Sequence, residues 1–186
     1  MTEYTKFDIP LRSGRQVWNH ITSERSQEKG MVFVQSSGGR VLPKYEKGAK
    51  ATVDGLAPLY RTMGHYLWSD ELERCQRKRN KAGAILCGAL ADIVMGQGRK
   101  EKWVSDTVKL IPRAVMDIRW VNPPTKKTRG KLYEYTVLAE ILGAEPNHWH
   151  RDHMEKWLLL QDNLSTWLGR AEQPLYDWMK RIKSVE

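Results

Sequence analysis

Three histidines and one aspartate crowd into six positions toward the end of this chain: His148, His150, Asp152 and His153, spelled His-x-His-x-Asp-His. Imidazoles are good zinc ligands, and an aspartate can complete a second metal position or orient a water for attack. The same residues stand inside a longer stretch, Tyr135 to Leu160, which reads YTVLAEILGAEPNHWHRDHMEKWLLL. Its apolar residues recur at helical spacing, which suits two helices around a glycine turn. A metal hydrolase and a nucleic-acid binder are therefore the competing chemistries.

The hexapeptide resembles the metal-binding motif of the metallo-β-lactamase-like hydrolases. That resemblance implies a motif loop after a buried strand, with further ligands downstream in a long αββα chain. The context here differs. Val137 to Leu142 includes Ala139 and Glu140 and repeats as a helix, and Met154 to Leu160 does the same. Only 33 residues follow His153 and none is histidine, while His20 and His65 lie upstream. A continuous helix would set His148 and His150 about 200° apart, unable to face one metal. A metal-dependent hydrolase is the remote alternative. The expectation is a non-enzyme with no catalytic residue, metal or cofactor.

The helix-turn-helix spacing fits better. Gly143 takes the turn, where positive φ favours glycine. Ala139 falls four residues earlier, at the tight helix crossing, and Leu138 and Leu142 face inward. Trp149 lies six residues after the glycine, where the second helix must bury a side chain. Pro146 suits that helix's first turn, where a missing N–H costs nothing. Asp152 stands where an apolar residue is usual; Trp157, Leu160 and Leu164 resume the inward stripe. The outer face then carries Asn147, His148, Arg151 and His150, which can donate to phosphates or base edges. An ordinary helical hairpin has the same spacing.

Charge points the same way. The 186 residues carry a net +9, which favours polyanions, nucleic acid first. Lys126, Lys127, Arg129 and Lys131 put four of those charges in six residues just ahead of the turn. They would attract a duplex backbone in a salt-dependent way. Two cysteines, Cys75 and Cys87, imply a reducing compartment and no disulfide framework. No apolar run reaches membrane length and no signal-peptide core opens the chain, so the expected location is cytoplasmic. The eight tryptophans suit a core, with some left as anchors for a protein partner.

The elements that must position these residues divide the chain in two. Residues 1–65 read as an irregular arm, with a short helix around Arg15 to Ile21, an optional β-hairpin over 31–42 and a charged loop at Lys44 to Lys50. Residues 66–186 read as a helical DNA-binding domain containing the helix-turn-helix at 135–160. Ser69 is expected to cap a helix with Leu72, Cys75, Arg79, Ala82, Leu86, Leu90 and Ile93 on one face and Arg74, Arg77, Lys78 and Lys81 on the other. A further helix is expected over Lys102 to Leu110, stopped or redirected at Pro112, with Ala114 to Trp120 an optional continuation. Pro174 is expected to open a last helix. The fold class is mainly α.

At Trp149-His-Arg151 the sequence resembles the C-terminal segment of the Q-type late-gene antiterminators of lambdoid phages. There an apolar helix and turn lead into a Trp-x-Arg/Lys unit, an aromatic eight residues on and a leucine-rich continuation; here these are Trp149, Arg151, Trp157 and Leu158 to Leu160. The resemblance covers roughly 25 residues, and the cysteine-rich zinc insertion of the lambda type is lacking. It implies a DNA-binding transcription regulator, an antiterminator or late-promoter activator, with duplex DNA and bacterial RNA polymerase as partners. A DNA-packaging or replication protein such as a small terminase subunit is the alternative of another class. Oligomeric state is open.

Overall fold

A computed structural model describes residues 15, 17, 18, 21, 43–69, 72, 75–123 and 130–184. Among these residues the chain is mainly helical: α1 (Pro43–Asp54), α2 (Pro58–Trp68), α3 (Gln76–Met95), α4 (Glu101–Val121), α5 (Tyr135–Leu142), a 3-10 turn (Pro146–His148), α6 (Trp149–Asp152) and α7 (Met154–Ser184). The expected β-hairpin over 31–42 and the basic residues Lys126, Lys127 and Arg129 lie outside the described residues.

Four helices form a closed ring of neighbours. α2 packs on α3, α3 on α4, α4 on α7, and α7 back on α2. Each contributes an inward stripe at spacings of three and four, as a 3.6-residue period requires. On α3 the stripe is Ala82, Leu86, Leu90 and Val94; on α4 it is Leu110, Ile111, Ala114, Val115 and Ile118. On α7 it runs Leu160, Leu164, Trp167, Ala171, Leu175 and Trp178. α1 lies against α7, and α5 against α4. No helix among the described residues is long and apolar enough to cross a membrane.

Several sequence expectations are corrected. Residues 43–68 are not irregular. Pro43 and Pro58 each open a helix, and the expected charged loop at Lys44 to Lys50 lies inside α1. Glycine obscured this pattern, yet it has a packing reason. A Cβ on Gly48 would meet Trp178 Nε1 at 3.0 Å, so the missing side chain lets α1 lie on α7. Val17, Trp18 and Ile21 are helical and buried, as their shared face suggested. Ser69 closes α2, its N–H donating to the His65 carbonyl at 3.0 Å; Leu72 is helical and buried as expected, but extended Cys75 interrupts the expected single helix, and α3 begins at Gln76.

Neither proline breaks its helix. Pro112 lies inside α4 and Pro174 inside α7. A helical proline leaves the carbonyl four residues back without its donor. Those carbonyls belong to Val108 and Arg170, both exposed residues, so water can serve them. Cys75 and Cys87 are free thiols, and burial pushes the Cys87 thiol up from its ordinary pKa.

Candidate nucleic-acid interface

α5 ends because Gly143 adopts φ 65°, ψ 33°. The Gly143 N–H donates to the Glu140 carbonyl at 2.9 Å, and the Ala144 N–H to the Ala139 carbonyl at 2.9 Å. This pair is the Schellman closure, and it satisfies carbonyls that the last turn would otherwise strand. Nothing lies within 4 Å of a Cβ added at Gly143. Gly143→Ala should therefore cost only the left-handed backbone penalty, about 1–2 kcal/mol. Chemical denaturation measures it, and Gly143→Asn should lose less. An alanine variant as stable as the parent would refute the conformation.

Beyond the turn, Pro146 opens one 3-10 turn, and a single α turn follows from Trp149 to Asp152. Trp149 is 1% exposed, and Leu138 and Ala139 of α5 are buried with it in the core. The expected continuous second helix through Leu160 is corrected: the chain breaks at His153, with φ −132° and ψ −21°. The His153 N–H donates back to Trp149 O at 2.9 Å, while its carbonyl accepts the Lys156 and Trp157 N–H groups and starts α7. Pro146 thus occupies the 3-10 turn, not the α-helix proper.

Lys156 secures this break. It is 5% exposed, and its Nζ donates to the Asp152 carbonyl and meets His153 Nδ1 at 3.1 Å. An ammonium only donates, so Nδ1 accepts and the ring proton sits on Nε2. Burial lowers the Lys156 pKa against the pull of the Asp106 and Asp152 charges. Burial also lowers His153, and the Lys156 charge adds to it. Sequence reasoning missed this lysine. The available signal was its register: it precedes Leu160 and Leu164 at steps of four, on the buried stripe.

Asn147, His148, His150 and Arg151 are all exposed on the outside of the turn, and so is Lys131 before it. The three imidazoles sit in different surroundings. The His150 ring lies 5.7 Å from Tyr135, the His153 ring 5.9 Å from Trp149, and His148 is on the 3-10 turn. No group of three or more His, Cys, Asp or Glu among the described residues is arranged to hold a metal ion.

The electrostatics of this segment differ from the basic surface expected. Arg151 forms a two-pronged pair with Asp152, Nε to Oδ1 at 2.7 Å and Nη2 to Oδ2 at 2.8 Å. The pair raises the arginine's pKa and lowers the aspartate's. Lys131 pairs with Glu134 at 2.8 Å. Residues 131–156 hold three basic and five acidic side chains, a net −2 with histidine neutral. The excess positive charge of the protein lies elsewhere.

Asp117 is the second residue that sequence reasoning passed over. It is 5% exposed on α4. Its Oδ1 accepts the Leu132 N–H at 2.6 Å, and its Oδ2 accepts Gln161 Nε2 of α7 at 3.3 Å. Tyr133 Oη meets Met116 Sδ at 3.5 Å beside it. The segment entering α5 is thereby fastened to the bundle. No protein-family model, curated protein or solved structure matches this chain.

Proposed function

We propose that this protein is a DNA-binding transcription regulator that presents Asn147, His148, His150 and Arg151 to a duplex. The carrying observation is the turn itself. A left-handed Gly143 and a buried Trp149 hold four exposed hydrogen-bonding side chains on one short, braced segment. Asparagine and arginine are the side chains that pair two-pronged with adenine and guanine edges. Seven residues of 3-10 and α conformation make a short reading element, so the contact covers few base pairs. Arg151 must exchange Asp152 for DNA. Exposed ion pairs are weak enough to permit that exchange.

Regulation of late transcription, through antitermination or promoter activation on bacterial RNA polymerase, follows from the resemblance at Trp149, Arg151 and Trp157. The test has two stages. Arg151→Ala should weaken binding to a selected duplex by roughly tenfold or more, measured by fluorescence anisotropy on variant protein of unchanged circular dichroism. Equal affinity would remove Arg151 from the interface. In a reconstituted reaction with polymerase, promoter and terminator, an antiterminator raises readthrough and an activator raises initiation. Site-specific binding that alters neither step would defeat the regulatory reading and favour a packaging or replication role.

A further inference from the structure

Part of the positive charge absent from the turn lies at the end of the bundle where α3 begins and α4 ends. α3 opens with Arg77, Lys78, Arg79 and Lys81, and its first acidic residue is Asp92. Asp70, Glu71 and Glu73 precede this run in sequence, and the charge over 70–81 stays positive, five basic to three acidic. Arg77 and Lys81 are exposed and share one side of the helix, four residues apart.

Tyr66 of α2 marks the convergence. The Arg119 guanidinium of α4 lies 5.6 Å from its ring centroid. A Cβ on Gly83 of α3 would meet the same ring at 3.3 Å. On that helix Arg79 lies one turn before Gly83, and Arg77 and Lys81 lie six and two residues before it, on the exposed side. Three residues before Arg119, Met116 meets Tyr133, and Asp117 holds the Leu132 N–H. Lys131 directly precedes Leu132 in the chain and is exposed. Electrostatically the Tyr66 phenol senses Arg119, Arg79 and Tyr133 together, although burial dominates and raises its pKa. The first turns of α3 and the attachment of Leu132, some fifty residues apart in sequence, thus lie at one end of the fold.

We infer that this end of the bundle is a second, sequence-independent contact with the phosphate backbone of duplex DNA, made by Arg77 and Lys81, with Lys131 exchanging its exposed Glu134 partner for phosphate. The inference deepens the reading of the protein as a DNA binder and rests on it. Residues 132–156 hold two basic and five acidic side chains, so the turn's own segment supplies no net attraction by charge. It lies toward the other end of α4, where Lys102 and Asp106 act on His153 and Lys156. From Asp106 to Asp117 is roughly 16 Å along the helix axis. Exposed guanidinium and ammonium groups at the far end would supply the attraction, and the turn the discrimination.

The test is the double variant Arg77→Ala, Lys81→Ala, binding a short mixed-sequence duplex over a range of salt. Both positions are exposed on a helix and alanine is the best helix former, so the fold should persist. The log–log salt slope should become shallower by about 1.8, one 0.9 step per lost phosphate contact, with affinity falling equally on all sequences. An unchanged slope overturns the surface. Arg151→Ala measured beside it separates the two readings. If only the double variant weakens binding, the turn is refuted and this surface stands. If only Arg151→Ala does, the surface is refuted and the turn stands. If the unaltered protein binds no duplex, both fall. Sedimentation with phosphatidylglycerol vesicles but not with duplex would also overturn the inference, making the cationic end a lipid-headgroup surface.

Discussion

Gly64→Ala should destabilise the protein by about 3 kcal/mol, the largest effect expected from adding a single methyl group. A Cβ built on Gly64 would lie 2.4 Å from both Trp18 Cη2 and Cζ2 and 2.6 Å from Cε2. The indole cannot easily yield. Trp18 is fully buried, its ring edge-on to His65 at 5.6 Å and to Trp68 at 5.9 Å. Arg15 brackets the same assembly, stacked 5.9 Å over Trp68 and paired with Glu172 of α7 at 3.3 Å. Alanine's better helix propensity returns only about 1 kcal/mol. Relief therefore requires the Trp18 segment to move off α2. Thermal denaturation should show a midpoint roughly 6–12 °C lower for a chain of this size. Trp18→Leu in the same background should recover part of the loss, because the clash is pairwise. A Gly64→Ala protein as stable as the parent would show that Trp18 does not rest on this glycine.

Trp149→Ala should cost about 3–5 kcal/mol, the range for removing a buried tryptophan, and should abolish duplex binding beyond what the loss of stability explains. The short segment from Pro146 to Asp152 has too few residues to be stable as an isolated helix. Its order depends on Trp149 reaching the core, on the Gly143 closure and on the Lys156 bond to the Asp152 carbonyl. Hydrogen exchange should rise first in residues 143–153, with the four-helix ring still protected. Trp149→Phe, which keeps most of the apolar area, should retain binding. Uniform destabilisation across all helices would instead make Trp149 a general core residue with no special hold on the turn.

Local pattern determined much of this molecule. The inward stripes of α3 and α7, the helix carrying Val17, Trp18 and Ile21, and the glycine turn at Gly143 were all readable from residue spacing, because each depends on a few neighbouring residues. Exposure of Asn147, His148, His150 and Arg151 was readable for the same reason: once Trp149 is inward, its neighbours turn outward. Other features depend on what lies across from them, and only the tertiary structure decided those. In isolation Pro112 signals a stop and Pro174 a new start, but each has an exposed residue at its orphaned carbonyl, so α4 and α7 continue through them. Gly48 and Gly64 weaken the helical pattern of 43–68, yet they are where Trp178 and Trp18 make close contact. Arg151 is a free cation in sequence and an ion-paired one in the fold. The break at His153, the buried Lys156 that braces it, and the Asp117 carboxylate that anchors Leu132 all arise from contacts between distant segments. The placement of the α3 cations at the end of the bundle where Asp117 holds the Leu132 N–H has the same origin: some fifty residues of sequence separate them, and helix packing around Tyr66 brings both to one end.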